Sequence, residues 1–520
     1  MSLTKSLTEK LLYYGLVLFL VVTAQIVAQE QLTLDQCLRL SLQNSIDIGV
    51  ARHLPDIAEA DVLLAQSPYD IFATGGYQYS RTDSRLLQEK TGIFNIGVAK
   101  RFVTGTELSL GYDLEYRRSS EFQTNRELNY FLAGGDPTLI DPNTDFKRLW
   151  TSGVTLSATQ PLLRNFGFGK PNQALIDAAD KQKEIAEHEL ASQVNAVLGQ
   201  VEVAYWYWVF SLKNKEILSQ SVAKAKQYKS FVEPQSGRIG GVLPSDVSDA
   251  NVNIYSREDK LITLEKELKV AQDRLKRHIY PFNPQDPLQM NWDKNIAPTA
   301  SEVEQFSKIT EIKPDVANAL KYRPEVKLMQ AKQKSFALLV ERSENQMLPS
   351  LDVKGGITFL GEEESGDSAF KKGYNGDHYR WSVGVVLEVP LGNFAAKSEL
   401  QRSKSQMEQA ETELHKTQYD ILLEIRTAVH EVEAARAKYE KNKATVDEAA
   451  KSLASLERRY ERPLPGDLNF IFFLQDAEFK MTDASLVQNL SLLEYRAALA
   501  RLKVAEAGYL KDYYQQRGTK

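Results

Sequence analysis

Few groupings in this 520-residue chain combine the residue types and spacing that chemistry requires. Gly167-Phe168-Gly169-Lys170 has the outline of a phosphate-binding turn, in which backbone N–H groups cradle an anion and a lysine neutralises it. The glycine that should precede it is missing and Pro171 follows the lysine, so that motif fails. None of the six histidines stands in a nucleophile motif, and neither HExxH nor CxxC occurs. Cys37 is the one cysteine; it has no disulfide partner and no Cys/His cluster with metal-ligand spacing around it. It reads as a buried thiol, and Leu34-Asp35-Gln36 before it is too polar for a lipid-attachment signal. No catalytic residue, metal or cofactor is expected. What remains is a pair of carboxylates, Asp246 and Asp249, in Asp246-Val247-Ser248-Asp249-Ala250 six residues after Gly240. Read locally, Asp246 is a helix cap or a partner of the helix dipole.

The elements that must carry these residues begin with a leader. Lys5 and Lys10 precede an apolar run from Leu11 to Val22, followed by Ala24 and Ala28, which describes a signal peptide over residues 1–28. No later stretch is long and apolar enough for a spanning helix of ~20 residues, so any membrane crossing by the mature chain requires β-strands. A net charge of -5 leaves no basic footprint for nucleic acid, and the 26% of charged residues read as solvated helix faces.

Two segments of the chain resemble each other in plan. Leu42-Gln43-Asn44-Ser45-Ile46 and Leu320-Lys321-Tyr322-Arg323-Pro324-Glu325 each open a helical stretch that ends at a proline, Pro68 or Pro349. Alternating segments follow: Ile71, Ala73, Gly75, Tyr77, Tyr79 in one and Leu351, Val353, Gly355, Ile357, Phe359 in the other. That is the period and length of a barrel strand. A second strand in each copy ends at Pro161 or Pro390. The copies are placed at 31–311 and 312–510, with a tail at 511–520. Between Pro68 and Pro161 the first copy carries extra residues with a hairpin, Phe94–Phe102 and Glu107–Tyr116, around Thr104-Gly105-Thr106. Two places are open to that hairpin: within a barrel wall, or decorating it.

After each second strand the period changes to heptads. Leu190, Val194, Val197, Val201, Ala204 and Trp208 make one seam; Ile421, Ile425, Ala428, Val432, Ala435 and Tyr439 make another. A third, from Val247 to Leu275, is interrupted only by Arg257. Each long helix turns at a Gly/Pro-rich break, at 233–244 or 462–467, and returns as a second helix. Tyr205-Trp206-Tyr207-Trp208 reads as packing between helices.

Taken in order, the strand–proline–long-helix plan, Gln160-Pro161-Leu162-Leu163-Arg164-Asn165-Phe166-Gly167 and the glycine-to-acid spacing of the hairpin tip resemble the TolC family of outer-membrane efflux proteins. The fold class this implies is an α+β membrane protein, internally duplicated, with a transmembrane β-barrel shared between subunits and a long antiparallel coiled-coil α-barrel. The resemblance implies a homotrimer in which three chains each give four strands to a twelve-stranded barrel in outer-membrane lipid. It also implies a periplasmic adaptor protein and an inner-membrane transporter as partners, with passive export of cargo. Gate candidates by position are Asp246, Asp249, Phe472 and Gln475, with Tyr460 and Arg462 nearby; the tip glycines Gly240, Gly241 and Gly466 are candidates for adaptor contact. The second tip departs from the family: Phe472 and Gln475 stand where acids are expected, and Pro463 and Leu468 where a tyrosine and an arginine would form a latch. The competing expectation is a secreted or periplasmic coiled-coil structural protein without channel activity.

Overall fold

In the computed structural model, residues 30–83, 88–119, 148–167, 170–235, 243–282, 285, 292, 294–309, 316–460 and 469–510 are described. The expected signal peptide, the polar loop around Gly134 and Asp141, and the 511–520 tail lie outside them. The chain divides into two compact units: residues 1–54, 187–327 and 415–520 in one, residues 55–186 and 328–414 in the other. Each unit draws on both expected repeats.

The first unit is helical. Thr33 opens α1 (Leu34–Asn44) with a capping box: its hydroxyl accepts from Gln36 N–H and its own N–H donates to the Gln36 side chain. β1 (Glu30–Leu32) pairs in parallel with a short strand at Ile296–Pro298. Helix α2 (Ile46–Gln66) follows and leads into the second unit.

The second unit is built on a sheet of six strands. These are β2 (Ile71–Asp83), β3 (Gln88–Arg101), β4 (Glu107–Ser119), β5 (Leu149–Pro161), and, after the Ile296–Pro298 strand β6, β7 (Ser350–Glu363) and β8 (His378–Glu388). Their order is β2-β3-β4-β5-β7-β8, antiparallel throughout. The hairpin β3–β4 therefore lies inside the sheet, between β2 and β5. Of the two places open to it, the hairpin takes the one among the sheet strands, and the described sheet has six strands where the resemblance implies four. The physical reason is the register: β3 pairs with β2 from Lys100↔Ile71 to Gln88↔Asp83, and β4 pairs with β5 from Glu107↔Thr159 to Arg117↔Leu149. The hairpin's backbone groups are thus satisfied on both sides by the flanking strands.

β5 leads to α3 (Lys170–Val232), a helix of 63 residues, and α4 (Pro244–Ile279) returns. Short helices α5 (Ala300–Phe306) and α6 (Val316–Tyr322) precede α7 (Pro324–Gln346), which leads into β7. A ten-residue helix, α8 (Gly366–Asn375), joins β7 to β8 and lies against β5 and β7, where a Cβ on Gly361 would strike the Ala369 carbonyl. α9 (Phe394–Tyr460) and α10 (Asn469–Ala505) complete the chain.

Of the three expected seams, that of α3 is buried at Leu190, Val194, Val197, Val201 and Trp208 and half-buried at Ala204, and that of α9 is buried from Ile421 to Tyr439. That of α4 is buried at Ala250, Ile254, Ala271 and Leu275 but only half-buried at Val247, Leu261, Leu264 and Leu268. Tyr205 and Trp206 are also buried, with Trp206 packed on Phe306 at 5.7 Å between ring centres. Cys37 is wholly buried. Burial, then the nearby Glu302 and Glu30 carboxylates, push its thiol up to about 12. At pH 8 its thiolate fraction is then roughly a thousandfold below that of a thiol with the ordinary value. The folded protein should resist maleimide over hours and take up one equivalent once denatured. Rapid labelling of the native protein would show that α1 is not packed as described.

Candidate functional site

Two features of the structure bear on transport: the faces of the sheet, and the ends of the helical hairpins. Residues paired across an antiparallel ladder share a face, so the register sorts the sheet side chains. One face carries Tyr77, Phe94, Leu114; then Ile96, Tyr112, Val154, Phe359, Tyr379; then Val98, Leu110, Leu156, Ile357, Trp381. It is apolar on all six strands, and Tyr77, Phe94, Ile96, Val98, Leu110, Leu156, Trp381, Val383 and Val385 are exposed there. The opposite face carries Thr74, Gln78, Ser80 on β2, Thr91, Asn95 on β3, Ser109, Asp113, Glu115 on β4, Ser157, Thr155 on β5, Lys354, Thr358 on β7 and Ser382, Arg380 on β8. Its charges pair across strands, Arg101 with Glu107 at 3.2 Å and Arg117 with Glu89 at 2.5 Å. One apolar and one polar face is the pattern of a sheet set between an apolar medium and water.

The hairpin ends follow from local sequence. Pro244 occupies the first turn of α4, where its missing N–H costs nothing. Asp246 accepts the Leu243 N–H at 2.9 Å, so its carboxylate closes the helix start, as the local reading of that residue anticipates. Asp249 lies exposed one turn on. Gln475 is half-buried on α10, near its start. Tyr460 ends α9 and Phe472 lies in the first turn of α10, but their side chains lie outside the described residues. Gly240, Gly241, Arg462 and Gly466 lie outside them altogether. Nothing described brings Asp246 or Asp249 against Gln475. Behind the ends, Tyr228 of α3, Leu453 of α9, and Leu474 and Ala477 of α10 form a small apolar core.

One arrangement here escapes sequence reasoning. Arg257, the residue that interrupts the α4 heptads, is buried in the seam and ion-paired to the equally buried Glu478 of α10. It also donates to the Ser221 carbonyl at 3.1 Å and to the Ser221 hydroxyl at 2.6 Å on α3. Thr482 donates to the other Glu478 oxygen at 3.0 Å, and the Phe479 ring lies 5.9 Å from the guanidinium. One buried charge pair thus ties both hairpins together. The legible signal is an arginine at a heptad core position; its partner, 221 residues away, is not legible.

Further along the helices, buried Glu202 of α3 accepts from Lys503 at 2.9 Å, Tyr509 at 2.8 Å and Trp206 at 3.3 Å. Burial, with Glu202 beside it, pushes the Tyr509 hydroxyl above the ordinary tyrosine range. Arg323, from the Tyr322-Arg323-Pro324 sequence, binds Glu424 at 2.7 Å and donates to the carbonyls of Val504 and Ala505 at the end of α10. Among the described residues no His, Cys, Asp and Glu cluster is arranged to hold a metal ion, and no helix is long and apolar enough to cross a membrane.

With this geometry in hand, comparison with known proteins is informative. A family model described as outer membrane efflux protein matches residues 37–279 and 316–462, about three-quarters of the chain. No curated protein sequence matches. Among solved structures, the CmeC outer membrane channel of Campylobacter jejuni is similar at 15% identity, with 91% of this chain and 85% of that one covered and a TM-score of 0.62. The outer membrane protein VceC of Vibrio cholerae gives 15%, 91%, 95% and 0.63. The open-state MtrE outer membrane channel of Neisseria gonorrhoeae gives 15%, 91%, 88% and 0.62. At such identities the likeness is one of fold.

The buried tie makes a prediction. Arg257→Ala leaves Glu478 charged and unpaired, and should cost about 3–5 kcal/mol, read as a lower helical melting temperature. Replacing both, Arg257→Met with Glu478→Leu, should restore most of that loss. If the single substitution is neutral, the pair does not hold the hairpins together.

Proposed function

The chain belongs to the outer membrane efflux protein family, and from that premise we propose that three copies of it build one passive exit duct across the outer membrane and periplasm. Each subunit lies in the outer membrane through its sheet and extends its helical part into the periplasm. The observation that carries this reading is the sheet with one face apolar on every strand, exposed on β2, β3, β4, β5 and β8 and partly covered by α8 at β7, and the other face polar. A water-soluble coiled-coil scaffold has no use for such a face, which is why the structural-protein alternative is set aside. The apolar face meets lipid and the polar face lines the bore.

The trimer is supported by strand arithmetic. Six strands are too few to close even the smallest barrel, which needs about eight. Edge strands in lipid must pair, so closure requires further copies. On this reading the duct is passive and energy comes from an inner-membrane transporter, coupled through a periplasmic adaptor that meets the hairpin tips at Gly240, Gly241 and Gly466. Nucleic acid has no part in this.

The gate is assigned to the hairpin ends, with Asp246 and Asp249 supplying negative charge and Phe472 an apolar constriction beside Gln475, Tyr460 and Arg462. Asp246 closes its helix with one carboxylate oxygen, which leaves its charge available to the mouth.

Fractionation should find a heat-modifiable trimer in outer membranes; a freely soluble periplasmic monomer would end the duct reading. In planar bilayers, Asp246→Asn, which keeps a capping oxygen, and Asp249→Ala should each lower cation selectivity. Phe472→Ala should raise leak through the closed state. If none of the three changes either property, the gate lies elsewhere.

A further inference from the structure

The hairpin β3–β4 changes what the assembled duct must look like. It is a full member of the wall by three independent observations. Its ladder to β2 and its ladder to β5 both run the length of the strands, so β2 and β5 have no ladder to each other. Its side chains continue both faces, with Phe94, Ile96, Val98, Leu108 and Leu110 exposed in the apolar band and Thr91, Asn95, Ser109, Asp113 and Glu115 on the polar side. Its turn is fastened to the chain that leaves β5. Gly105 sits at φ 88°, and a Cβ there would run into the Asn165 carbonyl. Asn172 donates to the carbonyls of Val103 and Asn165 at 3.0 and 2.8 Å. A hairpin that merely decorated a barrel would bury one face on it and leave its own edges free.

We propose that three copies contribute six strands each to a single eighteen-stranded barrel, whose bore admits cargo far larger than a twelve-stranded wall allows. The occupant of each free edge is a second copy of this chain, β8 of one meeting β2 of the next. Within the chain β2 and β8 are the end strands of an all-antiparallel meander with an even number of strands, so they run oppositely and close in the sense a barrel requires.

Strand spacing and tilt set the width. At about 4.8 Å between strands and a tilt of about 40°, eighteen strands give a wall about 36 Å across, against about 24 Å for twelve. Side chains take up about 5 Å on each side, leaving roughly 26 Å against roughly 14 Å. The wider bore passes two α-helices of about 10–12 Å side by side, whereas the narrower passes one. The strand end is therefore not the stage that sorts by size; a polypeptide segment fits it. This inference rests on the exit-duct reading and specifies its outer mouth.

The test uses the full chain, whose own Cys37 is buried and unreactive. Gln78→Cys with Ile93→Cys places two thiols at facing positions of β2 and β3 on the polar side. A short bis-maleimide should bridge them within one chain in outer-membrane trimers, as peptide mass spectrometry reports. In bilayers, polyethylene glycol added from the extracellular side should enter up to nearly twice the polymer radius tolerated by a variant with residues 88–119 replaced by a short linker. Trimeric channels with no bridge between β2 and β3, or with a small-polymer cut-off typical of twelve strands, overturn the proposal and leave the duct reading intact. A dimer in the outer membrane also overturns it, since two copies make twelve strands. Absence of any outer-membrane channel refutes the duct reading itself. The bridge decides the matter even where the shortened variant does not assemble.

Discussion

A backbone N–H or C=O at the edge of a sheet finds no water partner in hydrocarbon, and each one left alone costs several kcal/mol. β2 and β8 are such edges, each with one strand partner within the chain. Most other features of the second unit follow from that constraint. The strands are long, eleven to fourteen residues, the length a ladder needs to cross an apolar layer at a tilt. They alternate apolar and polar, as the wall proposed above, with lipid on one face and water on the other, requires. In the proposed duct the stability of one sheet is inseparable from assembly, and an isolated chain is an intermediate rather than a product.

The helical unit solves a different problem. A helix of 63 residues cannot bury its apolar stripe within itself, so it requires partners of comparable length. α9, of 67 residues, provides one of comparable length and α4 and α10, of 36 and 37, cover part of it, and heptad spacing keeps the seams in register. A purely apolar seam slides, since one leucine fits a neighbouring hole as well as the next. Arg257 and Glu478 cannot slide, because a shift would leave a buried charge unpaired. Glu202, with three donors, and Arg323, with its carbonyl and carboxylate partners, act similarly at the far end of α10, the first from α3 and the second from the turn before α7. Register is thus set by a few polar ties, and bulk stability by the apolar seam.

Much of this was legible in the residues. Alternation and flanking prolines located β2, β5, β7 and β8; heptads located the long helices; Gly/Pro-rich breaks located their ends. Cys37 and the Tyr205–Trp208 cluster proved to be packing, as their types suggest. The place of β3–β4 was not legible, for a physical reason. Glycines at 92, 97 and 111 blur its alternation, Ile93 falls on the polar side and Lys100 on the apolar side. Above all, a hairpin's own sequence is the same whether its outer edges pair with neighbours or with nothing. Only the registers to β2 and β5 decide. Of the gate candidates, the capping role of Asp246 was readable from its place beside Pro244, whereas Glu478 was not, because nothing local marks a glutamate as buried.

The inserted hairpin also separates two quantities that the family plan links. β2 is entered from α2 and β7 from α7, while β5 leads to α3 and β8 to α9. In a plan of four strands, every strand continues a helical element, so the circumference of the barrel is tied to that of the helical part. β3 and β4 instead turn back at Gly105 and contribute no helix. In the proposed barrel they add to the circumference of the wall alone, at about 4.8 Å of width per strand before tilt. The outer mouth can widen in evolution by hairpin insertion without repacking any heptad seam. Taken with the proposed gate, a wide mouth leaves discrimination to the helical end, where the start of α4 carries Asp246 and Asp249.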